Sequence, residues 1–98
     1  MTSKVSANQV PHSVYVWSER NTGVVRYVGR TNNIARRTIE HLSLKGDNVL
    51  FNKFIIDHLV LGLLPDITVA RTCSSVEQAI KIERALINEH KDTVFNLQ

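Results

Sequence analysis

The chain has 98 residues, which is room for one domain; a chain of this size buries roughly 60–65% of the surface its unfolded form exposes. Hydrophobic residues make up 43% and charged residues 21%, a globular balance that excludes a disordered polyelectrolyte. A single cysteine, Cys73, excludes an internal disulfide framework and any multi-cysteine zinc site, and no run approaches the ~20 apolar residues of a membrane span. The net charge is +3, and its placement matters more than its size. Residues 1–55 carry eight basic and three acidic side chains; residues 56–98 carry four and six. Between Arg20 and Arg37 stand five arginines and no acid. Such a stripe is the electrostatic footprint of a phosphate-bearing partner, and charge alone leaves a merely solvated face equally open.

Residues 1–12 are polar, carry Pro11 and show neither helical nor strand period; they read as a flexible leader or truncated linker, with the domain at 13–98. Residues 13–19 (SVYVWSE) are β-branched and aromatic and predict a strand. Residues 20–23 form a turn ending in Gly23, and 24–29 (VVRYVG) return as the second strand of a hairpin. Asn32 and Asn33 offer cap oxygens for a helix over about 34–44, ended by Gly46. A second helix is expected over 48–61, closed by Gly62 and Pro65. It is apolar enough to read as core, with a protein interface as the alternative. Residues 66–71 (DITVAR) predict a third strand, and Ser74-Ser75-Val76-Glu77 has the S-x-x-E spacing that opens a helix to about residue 90. The order β-β-α-α-β-α predicts an α+β domain, a three-stranded, mainly antiparallel sheet flanked by helices.

Two patterns break their surroundings. In the last helix Val76, Ala79, Ile80, Ile82, Leu86 and Ile87 form one apolar face, and Glu83 sits near its middle. A carboxylate there needs a cation, a proton or a metal ion, because unpaired burial of a charge costs several kcal/mol. A structural ion pair with Arg37 and a functional acid are both open. In the first helix Ile34, Ala35, Thr38 and Leu42 mark the inward side. Arg37 and His41, four apart, share a neighbouring face where they could clamp a phosphate and move a proton. Tyr15 and Tyr27 stand on the hairpin strands, with Arg30 directly after the second. Cys73, His12, His58 and His90 show no ligand or nucleophile pattern and read as structural or incidental.

Taken together these positions resemble the GIY-YIG nuclease superfamily. Ser13-Val14-Tyr15 corresponds to the first half-motif with its glycine replaced, and Tyr27-Val28-Gly29 matches the second. Arg30-Thr31-Asn32-Asn33-Ile34 follows as the family's basic–Thr–x–Asn–aliphatic run, then Arg37, then His41. Glu83 matches the glutamate of the last helix and Asn96 the asparagine beyond it. The resemblance spans 13–96 and implies an endonuclease that hydrolyses nucleic-acid phosphodiesters with one divalent metal, Mg²⁺ or Mn²⁺, held by Glu83. It implies Tyr15, Tyr27, Arg37, His41 and Glu83 as catalytic residues, with Arg37 bracing the phosphate. For the base the resemblance implies Tyr15, slightly ahead of Tyr27, with Arg30 nearby to favour the phenolate, and His41 stays open as the rival. Arg26, Arg30, Asn33, Arg36 and Asn96 are the expected nucleic-acid contacts, Asn96 also supporting the metal site or Tyr15. DNA is expected ahead of RNA. The setting the resemblance suggests is the toxin module of a larger bacterial effector, with an immunity or inhibitor protein as partner. A stand-alone repair or mobile-element nuclease and an inactive nucleic-acid-binding module on the same scaffold are the alternatives. The expected compartment is the cytoplasm, reached by delivery into a target cell if the chain is such a module, with no membrane partner. The oligomeric state is left open.

Overall fold

The computed structural model describes residues 11–96. The expected leader therefore falls almost wholly outside the described residues. The elements run β1 (His12–Ser18), β2 (Val25–Thr31), α1 (Ile34–Leu42), α2 (Val49–Val60), β3 (Asp66–Cys73) and α3 (Val76–Glu89), in the predicted order. The sheet has the strand order β2-β1-β3, and both pairings are antiparallel. β1 and β2 close through a turn in which Gly23 takes φ +74° and its amide donates to the Glu19 carbonyl at 2.9 Å, a left-handed geometry open to glycine without strain.

The helix ends obey capping chemistry, with two shifts from expectation. Asn33 Oδ1 accepts from the Arg36 amide at 3.0 Å and Asn48 Oδ1 from the Phe51 amide at 3.1 Å, opening α1 and α2. α3 is capped by Ser75, whose Oγ accepts from the Gln78 amide at 3.2 Å. The cap lies one residue later than the S-x-x-E spacing implied, because Ser75-x-x-Gln78 offers the same geometry nearer the apolar face. α1 stops at Leu42, and Leu44, not Gly46, takes the left-handed conformation at φ 60°. Its side chain packs against the aromatic core, which offsets a strained backbone. α2 ends in a Schellman motif at Gly62 (φ 74°), where the Leu63 amide donates to the His58 carbonyl and the Gly62 amide to that of Leu59.

Strand alternation sends side chains to two covered faces. On one, Tyr15 and Trp17 of β1 pack with Phe51, Phe54 and Ile55 of α2. On the other, Val14, Val28 and Cys73 pack with Ala79 of α3. Ala35, expected inward, is exposed, and only one side of α2 is core, since Val49, Leu50, Ile56 and Val60 face outward. No helix among the described residues is long and apolar enough to cross a membrane.

The segment after α3 runs along the open edge of β2. Thr93 Oγ1 donates to the Val25 carbonyl, and the Phe95 amide to that of Arg26. The Asn96 amide group accepts from Val28 N–H at 2.9 Å and donates to Val28 C=O at 2.6 Å. A side-chain amide thus completes hydrogen bonds that an edge strand would otherwise leave open.

Gly29 lies opposite Tyr15 in the β1–β2 register. A Cβ there would run into the Tyr15 ring at Cζ and Oη, and Tyr15 is 1% exposed, so the ring has no free direction in which to yield. Gly29→Ala is expected to lower stability by about 1–3 kcal/mol, the usual cost of overpacking a core, read by denaturant unfolding. Gly46→Ala, with open space around its Cβ position, should leave the midpoint nearly unchanged.

Candidate active site

A cleft of about 840 Å³ gathers residues from both sides of the sheet around β2. Tyr27 comes from β2, Arg37 and His41 from α1, and Phe51 from α2. Glu83 and Arg84 come from α3, and Asn96 from the terminal strap. Of the five positions implied as catalytic, Tyr27, Arg37, His41 and Glu83 line this cavity, and Tyr15 does not.

Tyr15 stands directly behind this wall. Its Oη is 2.8 Å from His41 Nε2. Tyr27 is clamped between two rings, stacked on Phe51 at 4.2 Å and 12° and edge-on to His41 at 5.3 Å and 71°. Burial pushes the Tyr15 phenol up to about 12, with neighbouring Tyr27 adding to it and Arg37 opposing. Burial also raises Tyr27, against the pull of Arg37. His41 is pushed down to about 4 by burial and then by the Arg37 charge. At neutral pH both phenols hold their protons and the imidazole is neutral, so the Tyr15–His41 contact is a neutral hydrogen bond.

The fold supplies each arginine of the basic stripe with a carboxylate. Arg20 pairs with Asp66 at 3.0 Å, Arg26 with Glu19 at 2.7 Å, and Arg30 with Glu83 at 3.3 Å. Arg37 pairs with Glu40 at 3.0 Å, and Arg36 reaches the same carboxylate at 4.0 Å. This corrects two sequence expectations. Glu83 is partnered by Arg30 and not Arg37, because both project to the α3 side of the sheet. Arg30 is consequently not the cation beside the phenols; Arg37 is. Glu40, one turn on from Arg37 at i+3, places an acid beside the Arg37–His41 face.

The expected nucleic-acid contacts fall into different places. Arg26 is committed internally: besides Glu19 it donates to the Thr93 carbonyl at 3.0 Å and lies 5.1 Å from the Phe95 ring centre. It lines a separate groove. Asn33 serves as the α1 cap. Asn96 braces the β2 backbone. Arg30 and Arg36 are exposed, Arg36 donating to Asn32 Oδ1 at 3.2 Å. Sequence reasoning missed Glu40, Arg84 and the loop residues Lys45 and Asn48, all of which line the cleft. Only Glu40 carried a signal, its i,i+3 spacing from Arg37.

Glu83 stands at the cleft wall with its side chain 22% exposed, and Glu40 and Asp47 are the other carboxylates that line the cleft. No group of three or more His, Cys, Asp or Glu side chains is arranged for a metal among the described residues. Carboxylate oxygens in an open cleft suit a hard cation that keeps most of its waters better than they suit zinc.

The depressed His41 sets a stability window. Between about 6.5, where an unfolded histidine titrates, and about 4, the unfolded chain binds a proton that the folded one does not. Stability from this group is therefore full above 6.5 and declines as pH falls towards 4. His41→Gln should flatten the melting temperature against pH across that window, and an unchanged slope would remove His41 as its source.

The chain matches the GIY-YIG catalytic domain over residues 11–97. Neither the curated proteins nor the solved structures contain a match. The match covers nearly the whole chain and includes every residue of the cleft, so the protein belongs to the GIY-YIG family of endonucleases.

Proposed function

We propose that the cleft hydrolyses DNA phosphodiesters with a Mg²⁺ or Mn²⁺ ion held by Glu83. The observation that carries this reading is the convergence of Tyr27, Arg37, His41 and Glu83 on one cavity. Arg37 binds the scissile phosphate, exchanging its half-exposed pair with Glu40 for phosphate oxygens, as exposed ion pairs worth ~0–1 kcal/mol permit. Tyr27 is the tyrosine that reaches the cleft, so its phenolate, formed when the phenol loses its proton to solvent, takes the proton from the attacking water; Tyr15 hydrogen-bonds His41, and His41 packs edge-on against the Tyr27 ring. Placement thus favours Tyr27 over Tyr15 as the base. The water oxygen bonds to phosphorus as the phosphorus–oxygen ester bond breaks, and the leaving oxygen is protonated from solvent. The ion, when bound, supplies positive charge to the leaving oxygen and cancels the field by which Glu83 raises both phenols. The cellular setting, a toxin module neutralised by an immunity protein, rests on sequence resemblance alone. It is tested by whether expression of the wild type, but not of Glu83→Ala, arrests growth.

Purified protein should nick plasmid DNA with Mg²⁺ or Mn²⁺ and not with EDTA. Glu83→Ala should abolish nicking, and Arg37→Ala should lower the rate about 10²–10³-fold, the usual loss for a charge-stabilising donor. Cleavage that survives both changes would falsify the assignment.

The two rival bases predict different pH profiles. A phenol with a raised pKa supplies tenfold more base per pH unit below that pKa. The wild-type rate should therefore climb steadily from about pH 6 to about pH 9. A His41 base, titrating near 4, would give a flat profile over the same range. Tyr27→Phe should remove the rising limb.

A further inference from the structure

Seven of the nine large hydrophobic side chains exposed among the described residues lie between positions 49 and 64, on α2 or in the turn that leaves it. Patches of this kind mark interaction sites more often than they mark idle surface. The outward seam of α2 is Leu50, Lys53, Asp57 and Val60. Its 3-4-3 spacing is the step along which two helices pack side by side.

The chemistry of this seam is its own reverse. Read in either direction it runs apolar, charged, oppositely charged, apolar, centred on position 55. We propose that the protein forms a two-fold dimer in which α2 packs antiparallel against α2 of a second copy. Leu50 then meets the partner's Val60, Lys53 meets the partner's Asp57, and symmetry repeats both contacts, as an isologous interface requires. Val49 and Leu61, both exposed, extend the apolar ends of the same arrangement. A parallel pairing is disfavoured because it would set Lys53 against Lys53 and Asp57 against Asp57. Within one chain Lys53 Nζ and Asp57 Oδ2 already lie 2.7 Å apart on the surface, so a second pair of the same charges turns an exposed ion pair into a four-charge network at the dimer axis. The groove of about 390 Å³ beside α2, lined in part by Leu50, Lys53, Asp57 and Leu61, runs along the same face. It can receive the partner's apolar side chains.

The test uses sedimentation equilibrium. The wild type should pass from monomer to dimer between about 10 µM and about 1 mM, the regime of a small interface. Val60→Asp, at a side chain 78% exposed, should remain monomeric with unchanged circular dichroism and melting. The decisive pair is Lys53→Asp and Asp57→Lys. Each alone opposes like charges across the axis and should weaken association at least ~10-fold. Mixed in equal amounts, they restore both cross-pairs and should associate as tightly as the wild type. An intrahelical role for Lys53 and Asp57 cannot produce that recovery. A wild type that stays monomeric throughout would give this face to some other partner and overturn the proposal. A mixture no tighter than its components would overturn it as well.

Discussion

The site depends on one close approach, the Tyr15 ring lying over Gly29 across the hairpin. A strand position with no Cβ lets an aromatic ring from the neighbouring strand lie flat on the sheet. The ring then extends sideways to His41, which in turn packs edge-on against Tyr27, so one missing methyl group sets the position of three candidate catalytic side chains. The same contact buries Tyr15 almost completely. Desolvation keeps its phenol neutral and keeps His41 neutral beside it. The pair is thereby an uncharged backing to the cleft, and the charged side chains of Arg37 and Glu83 stand at its surface.

Those charges are held in a poised state. Each arginine of the basic stripe has a carboxylate within 4.0 Å, so the domain does not present the bare positive face that its sequence suggests. The pairs differ in how readily they can be exchanged. Arg26 is fixed by Glu19, a backbone carbonyl and an aromatic ring, and it stabilises the hairpin against the terminal strap. Arg36 and Arg37 share one exposed glutamate, a partner that a polyanion outcompetes at little cost. Arg37 and its glutamate line the cleft, and the locked Arg26 lines a separate groove.

Element order was legible because local signals agreed: alternating strands, asparagine caps before both early helices, and glycine at the β1–β2 and α2–β3 reversals. Glu83 was legible as an anomaly, a carboxylate in an apolar face, and its pairing with Arg30 accounts for why it can stay there. What could not be read were contacts between residues far apart in sequence. The partner of Glu83 is decided by which face of β2 Arg30 occupies, and strand parity over so short a hairpin is shifted by the irregularity between Trp17 and Ser18. The end of α1 was misplaced because glycine is the usual left-handed residue, whereas here core packing holds Leu44 in that conformation. The apolar character of α2 misled in the same way, since composition does not distinguish a helix buried all round from one with an uncovered side.

The terminal strap resolves a conflict built into this topology. With the order β2-β1-β3, the strand carrying Tyr27 and Gly29 is an edge, and an exposed edge invites pairing with other chains. A fourth strand would close it but would also fill the space where the cleft opens. The strap takes a different course. Phe95 and Thr93 satisfy the first half of β2 through backbone and hydroxyl bonds. Asn96 then satisfies Val28 with a side-chain amide. A side chain ends where a strand would have continued, so the edge is closed up to Val28 and the wall beyond it stays open to substrate. On this argument the asparagine acts by holding the β2 backbone that presents Tyr27. Its removal would loosen the strand that carries the tyrosine.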